Sequence, residues 1–266
     1  MSIIQGTAKG GSASFYDFPI GDSLRFDGTS SYLSRTPATA GNRQTWTWSG
    51  WVKFSNVSST LVLFGISTGA GFYKQFSIML NSQNIKVLSD TDGTAGSSFQ
   101  LNLVTSAVFR DTSAWYHLVV SIDSTQSTST NRASIYINGV NQYQNLSTST
   151  YPSLNQQSEI NNTSYIHGIG LSPQNGSGYH NGYMANIQLI DGQALDASYF
   201  GETKDDIWIP KTFDGTSSTG GSTVSTDYGT NGFLLDFSSI SGTTINDTAP
   251  IDTNHSSANN WTATGF

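Results

Sequence analysis

Carboxylates are the first side chains in this sequence that could do chemistry. Glycoside hydrolysis usually needs two carboxyl groups close together, one protonated and one ionised. The chain has only two glutamates, Glu159 in QSEIN and Glu202 in GETKDD, and they lie in separate segments. An aspartate pair stays open as an alternative, but the missing glutamate arrangement predicts a protein without enzymatic activity.

Histidines are the next candidates, because they act as bases toward a nucleophilic serine. The chain has no G-x-S-x-G turn that would present such a serine. His117 in WYHL falls within a strand pattern, and we interpret it as a structural histidine. His180 in SGYHNG falls between turn residues, so we expect it to be exposed and available for contacts.

Aromatic side chains are the remaining candidates for a binding site, since a ring can stack on the apolar face of a sugar while polar groups orient the sugar. Tyr73 in GAGFYKQ and Tyr179, beside His180, fall in predicted loops. Together with Trp51 they form the predicted ligand-binding set: Trp51, Tyr73, Tyr179 and His180.

Trp51 belongs to the segment TWTWSGWVKF, residues 45–54, which places three tryptophans within six positions. In a strand, alternate side chains point to opposite faces. Trp46, Trp48 and Phe54 therefore share a predicted core face. Trp51 falls on the other face, where it either meets a covering loop or offers a surface for a sugar.

A structural calcium ion stays open, but we assign no metal ligands. SDTDGTAG offers Asp90 and Asp92 before a glycine, yet it lacks the downstream glutamate of a calcium loop. Other Asp-Gly pairs, such as Asp191-Gly192, are typical of turns.

Composition excludes several classes of function. The net charge is −7 with 11 Lys plus Arg, so the basic surface that nucleic-acid binding needs is missing. The first 20 residues do not resemble a signal peptide, and no run approaches 18 apolar residues, so we expect neither secretion through such a signal nor a membrane span. With no cysteine, disulfides and thiolate metal sites are excluded.

Short alternating runs separated by turn residues predict an all-β antiparallel sandwich of the jelly-roll type. Ser82-Gln83 and Asn138-Gly139 are predicted two-residue hairpins. Asp196 is predicted to cap one or two helical turns that end near Gly201. The predicted strands are SLRFD, YLSR, TWTWSGWVKF, TLVLFGIS, QFSIMLN, NIKVLS, FQLNLV, WYHLVVSID, ASIYINGV, SYIHGIG, YMANIQLI and, later, GFLLDFSS.

Three regions follow from these patterns: an N-terminal arm at 1–22, the sandwich at 23–200, and a C-terminal connector and strand at 201–266. The C-terminal strand has two alternatives. It closes its own sandwich, or it adds to a sheet edge of a neighbouring subunit.

The ordered segments SLRFDGTSSYLS, TWTWSGWVKF, WYHLVVSIDSTQSTSTNRASIYINGV and GYMANIQLIDGQAL resemble laminin-G-like, or concanavalin-A-like, jelly-roll domains. The resemblance covers about residues 23–200. It implies that His117 and Trp51 occupy positions of the family signature. Related glucanases carry an E-x-D-x-x-E run along one strand, which this chain lacks.

More narrowly, IIQGTAKG, LIDGQAL with YFGE, and YGTNGFLLDFSS are similar to fibre and appendage proteins of marine bacteriophage virions. This resemblance implies a non-enzymatic structural protein on the outer surface of the particle, as a capsid decoration protein, head fibre or tail appendage. The terminal arms would dock to other virion proteins, and a homo-oligomer, for example a trimer, is the expected state. The alternatives are an adhesin for host surface polysaccharide and, third, an endoglycanase.

Overall fold

The computed structural model describes residues 18–68, 75–90, 100–173, 176–220, 223–252, 254–255 and 257–266. Residues 1–17 of the predicted arm, and Tyr73, lie outside these ranges. The strands are β1 (Leu24–Asp27), β2 (Tyr32–Arg35), β3 (Thr45–Phe54), β4 (Leu61–Ser67), β5 (Gln75–Asn81), β6 (Asn84–Asp90), β7 (Leu101–Thr105), β8 (Tyr116–Asp123), β9 (Ala133–Ile137), β10 (Val140–Asn141), β11 (Leu146–Thr150), β12 (Ile166–Ile169), β13 (Asn181–Asp191), β14 (Gly201–Lys204), β15 (Ile207–Pro210), β16 (Phe233–Leu235), β17 (Ile240–Ser241), β18 (Thr244–Ile245) and β19 (Trp261–Thr264). One-turn 3₁₀ segments are described at Ser129–Asn131, Tyr143–Asn145 and Ala197–Tyr199.

Two antiparallel sheets form the body of the molecule. The seven-stranded sheet has the order β1-β13-β3-β8-β9-β10, with β16 also paired to β13. The ten-stranded sheet has the order β11-β7-β6-β5-β4-β12-β2-β19-β18-β17, and β14 pairs with β15 as a separate hairpin. The all-β antiparallel sandwich predicted from the sequence is confirmed.

The core lies between the two sheets and contains the alternate tryptophans of β3. Trp46 and Trp48 are fully buried. The ring of Trp46 meets Phe76 edge-on at 5.1 Å, and that of Trp48 stacks on Phe64 at 6.3 Å. Since both phenylalanines belong to the opposite sheet, these pairs join the two layers. The predicted core face of β3 is confirmed.

Local turn chemistry behaves as the sequence predicts. Ser82 and Gln83 both have positive φ between β5 and β6, and Asn138 and Gly139 do so between β9 and β10. A two-residue hairpin whose twist matches its strands requires positive φ at both positions. The Asp196 carboxylate accepts a hydrogen bond from the Ser198 N–H at 2.8 Å, which caps the last 3₁₀ turn.

The C-terminal segment enters the ten-stranded sheet of its own chain. Strand β19 pairs with β2, and Trp261 is buried against Phe233, with 5.0 Å between their ring centroids. The buried Asp247 carboxylate accepts from the N–H groups of Leu234 and Asn259. The last strand therefore packs within the same hydrophobic core as the central strands.

Candidate functional site

A second, smaller hydrophobic core covers part of the outer face of the seven-stranded sheet. It combines Val119 of β8 and Ile190 of β13 with residues that follow β13, including Tyr199 and Phe200. The β14–β15 hairpin brings Trp208 to the edge of this core. Outward-facing side chains of β3, β8 and β13 are therefore buried in one region of the sheet and remain exposed in another.

Trp51 lies in the covered region. Its side chain is only 9% exposed, and its ring stacks on His117 at 4.9 Å. The Trp208 ring lies nearly parallel to His117, with 5.9 Å between the ring centroids. The buried Trp51 ring offers no face to a sugar, so the structure has the covered one of the two arrangements considered for Trp51.

Hydrogen bonds determine the tautomer of His117. The Trp208 indole N–H donates to His117 Nδ1 at 3.0 Å, so Nδ1 is an acceptor. The proton of the neutral ring is therefore on Nε2, which lies 2.9 Å from Ser49 Oγ and donates to it. Burial lowers the pKa of His117 to about 3. The interpretation of His117 as a structural histidine agrees with this geometry.

The expectation that His180 is exposed is wrong. Its side chain is fully buried, and its ring meets Phe26 and Phe54 edge-on at 5.6 and 5.8 Å. The backbone N–H of His180 donates to Gly170 O at 2.9 Å, which holds the residue inward at the start of β13. Burial also lowers its pKa to about 3. Turn residues on both sides predicted a loop, but this chain segment crosses the end of the core.

Tyr179 is half-buried, and its ring centroid lies 6.3 Å from that of Tyr32 on β2. Tyr179 lies between β12 and β13 and packs against a strand of the ten-stranded sheet, whereas Trp51 lies on the seven-stranded sheet. Among the predicted ligand-binding residues that the structure describes, Trp51 is therefore not brought together with Tyr179 and His180.

An exposed aromatic pair that the sequence analysis missed lies beside the covered region. Trp115 is 37% exposed and Tyr183 is 36% exposed, and their ring centroids are 6.4 Å apart. Across the strands, Tyr183 is paired with Arg25 on one side and with Lys53 on the other. We call these four residues, Arg25, Lys53, Trp115 and Tyr183, the aromatic platform.

Basic side chains flank the rings of the platform. The Arg25 guanidinium lies 5.3 Å from the centre of the Tyr183 ring, and its nitrogens donate to Asn181 Oδ1 at 3.0 Å and Gly182 O at 3.3 Å. A guanidinium held by two neutral acceptors keeps its full charge and has further N–H groups to donate. The platform thus combines two exposed rings with a guanidinium that is held against one of them.

Two of the concave regions in the described part of the chain are alternatives to the platform. A polar cavity of about 310 Å³ lies at one end of the sandwich, but the carboxylate of Asp191 there already accepts from the N–H groups of Asn42 and Asn231. Burial raises the pKa of this carboxyl group. A groove of similar volume lies on the ten-stranded sheet, lined by Thr60, Val62, Gln75, Ser77, Met79, Leu88, Ser172, Ser177 and Gly178. No aromatic ring lines either region among the described residues.

The two glutamates show no arrangement suited to glycoside cleavage. Glu159 is 3% exposed and forms an ion pair of 3.5 Å with Arg43, while Glu202 lies on β14. Within the described ranges, no group of three or more His, Cys, Asp or Glu side chains is placed to hold a metal ion. The same ranges contain no helix of the length and apolar character that a membrane crossing requires.

Comparison with solved structures finds sandwiches of the same kind at low sequence identity. A protein from Bacteroides ovatus, provisionally assigned as carbohydrate binding, aligns over 90% of this chain and 58% of its own, with 13% identity and a TM-score of 0.51. The heptameric SAP-like pentraxin of Limulus polyphemus aligns over 67% of this chain and 79% of its own, with 16% identity and a TM-score of 0.46. Domain 4 of the Geobacillus stearothermophilus arabinanase AbnA aligns over 72% and 81%, with 18% identity and a TM-score of 0.47.

No curated protein matches the sequence. A laminin G family model described as the concanavalin A-like lectin/glucanases superfamily matches residues 27–198. This match includes the strands β2 to β13 and covers more than half of the chain. The sheet order, the sandwich core and this match agree, and the protein belongs to the concanavalin A-like lectin/glucanases superfamily.

Proposed function

We propose that the protein is a non-catalytic carbohydrate-binding protein whose binding site is the aromatic platform. The observation that carries the proposal is the exposed Trp115–Tyr183 pair with Arg25 and Lys53 beside it. The lectin-like fold and the provisional assignment of the Bacteroides ovatus protein to carbohydrate binding support it.

The platform suits a sugar because its two rings contact each other and Arg25 is held beside Tyr183 before any ligand arrives. Side chains on neighbouring strands need little reordering on binding, so less of the interaction free energy is lost to side-chain entropy. The two rings remove apolar C–H surface of a sugar from water. Arg25 and Lys53 are able to donate hydrogen bonds to its oxygens.

The proposal includes the absence of catalysis, and the position of Glu159 supports this part. A general acid must reach the glycosidic oxygen. Glu159 is buried and paired with Arg43, so it does not reach a substrate at the surface. Release of reducing sugar from a polysaccharide that the protein binds would contradict this part.

The binding experiment compares the wild-type protein with Trp115→Ala and Tyr183→Ala on a glycan array and on whole bacterial cells. Tyr143→Ala is the matched control, because Tyr143 is 49% exposed and lies elsewhere, in a 3₁₀ turn. We expect each platform variant to weaken binding by about tenfold or more, which is about 1.4 kcal/mol, and the control to bind as wild type. Equal binding by all four proteins would reject the platform, and no glycan binding by wild type would reject the function.

We further propose that the protein is displayed on the outer surface of a bacteriophage particle, as a decoration protein, head fibre or tail appendage that contacts other virion proteins and forms a homo-oligomer. The segments IIQGTAKG, LIDGQAL with YFGE, and YGTNGFLLDFSS support this proposal through their resemblance to virion proteins. Reconstruction of the particle tests it. Density for the sandwich on the capsid lattice or at the tail would support it, and absence of the chain from purified particles would contradict it.

A further inference from the structure

We infer that the sugar bound by the aromatic platform carries an anionic group, a carboxylate or a sulfate. The inference rests on the proposed function and names the ligand class of the same site. Its basis is the placement and pairing of the two basic residues of the platform.

Pairing across the strands places Arg25, Tyr183 and Lys53 in one row on β1, β13 and β3. The next paired row consists of Ala185, Trp51 and His117. His117 lies on β8, and Trp115 directly precedes that strand. Because paired residues share a face of a sheet, the two cations and the exposed rings face the same solvent. A sugar stacked on the Tyr183 ring therefore lies beside both positive charges.

Neither cation of the platform is neutralised by an ion pair among the described residues. Arg25 donates to an amide oxygen and a carbonyl oxygen, both of which are neutral. The positive charge of Lys53 is a minor cause of the lowered pKa of the Asp111 carboxyl group. Its oxygen already accepts from Ser113 N–H and Oγ, and these bonds, with Lys53 a smaller cause, lower the pKa of Asp111. The platform thus has two positive charges near one negative charge.

Three other basic residues lie close to carboxylates, whereas Arg110 and Arg132 donate to neutral oxygens as Arg25 does. Arg43 pairs with Glu159 and Lys211 pairs with Asp214. The half-buried Arg35 is flanked by the carboxylates of Asp191 and Asp247, which favour its charged form. In a chain with a net charge of −7, a surface with an excess of positive charge is complementary to an anion.

The test uses an array of paired glycans: uronate polymers with their carboxyl-reduced forms, and sulfated polymers with their desulfated forms. We expect wild type to bind at least one anionic member about tenfold more tightly than its neutral partner. Carboxylate and sulfate pairs show which anion is preferred. Equal binding within every pair would overturn the inference.

Variants of Arg25 and Lys53 test whether these residues cause the preference for anionic glycans. Lys53→Gln and Arg25→Gln are each expected to reduce the anionic-to-neutral affinity ratio about fivefold, with Lys53→Arg close to wild type. Lys211→Gln makes the same change in net charge at a residue outside the platform and is expected to leave the ratio unchanged. An unchanged ratio in both platform variants would also overturn the inference.

The two proposals fail in different ways. If Trp115-dependent binding is confined to neutral sugars, the carbohydrate-binding function stands and the anionic class is rejected. If no glycan of the array binds in a Trp115-dependent manner, both are rejected.

Discussion

Three buried histidines, His117, His167 and His180, are neutral in the folded protein because burial lowers the pKa of each to about 3. An unfolded histidine has a pKa of about 6.5. Between these values the unfolded chain binds protons that the folded chain does not. The stabilisation from these residues is therefore complete above about pH 6.5 and is lost as the pH falls toward 3.

We predict that the free energy of unfolding falls between pH 7 and pH 5, with a slope of at most about 1.4 kcal/mol per pH unit for each buried histidine. His255 acts in the opposite direction, because the Asp247 carboxylate and the Gly229 carbonyl raise its pKa despite burial. Its contribution is present below about pH 6.5 and is lost at higher pH. Urea unfolding at a series of pH values measures the combined pH dependence of the free energy of unfolding. His180→Leu should reduce the number of protons taken up on unfolding by about one. An unaltered pH dependence in this variant would contradict the assignment of His180 as a neutral, buried histidine.

Tryptophan substitutions separate core from surface. Trp48→Ala leaves a cavity between the sheets and should lower the free energy of unfolding by about 3 to 5 kcal/mol. Trp115→Ala removes a ring that is 37% exposed and should cost about 1 kcal/mol or less while weakening glycan binding. Chemical denaturation at pH 7 measures both. Comparable losses of stability in the two variants would mean that Trp115 belongs to the fold and not to a site.

At the scale of elements, the β14–β15 hairpin divides the outer face of the seven-stranded sheet. Trp208 fits between Gly139 and Gly201, where an added Cβ would lie 2.5 and 2.4 Å from its ring. Gly139 also has a φ of +81°. Any larger residue at either glycine would displace Trp208, so the hairpin depends on both for its position over His117.

Trp208→Ala should uncover His117 and remove the hydrogen bond to its Nδ1. The pKa of His117 is then expected to rise from about 3 toward 6.5, because water reaches the ring. Titration of the histidine ring signals by NMR measures this change. His167 provides an internal control, since it lies on β12 of the other sheet and should keep its low pKa. A His117 pKa that stays low would show that Trp208 is not the cover.

The sequence predicted the elements whose causes are local. Asn138-Gly139 specifies a hairpin through backbone conformation, and alternation alone places Trp46 and Trp48 in the core. The platform could not be predicted in this way. Trp115 and Tyr183 are far apart in the chain, and the pairing of β13 with β3 and of β3 with β8 brings them together. His180 was mispredicted for a related reason, since its flanking glycines and asparagines indicate a turn but not the depth of that turn.

At the scale of the whole molecule, the chain from β1 to β19 forms one sandwich with an additional cover on one face. Strand β19 lies next to β2, so the two ends of the described sandwich meet within the ten-stranded sheet. The cover lies on the seven-stranded sheet and leaves the platform as an exposed aromatic surface on another part of the same sheet. We therefore propose that the ten-stranded sheet stabilises the fold and that the exposed part of the seven-stranded sheet binds the sugar.

The proposal that the aromatic platform binds a sugar is best tested by an NMR titration, in which a bound oligosaccharide is added and the tryptophan indole N–H signals are followed. The chain has six tryptophans, of which Trp115 alone belongs to the platform. We expect the Trp115 signal to show the largest chemical-shift change and the signals of the buried Trp46, Trp48 and Trp261 to stay in place. Saturable binding with an unmoved Trp115 signal would contradict the account and place the sugar elsewhere on the sandwich.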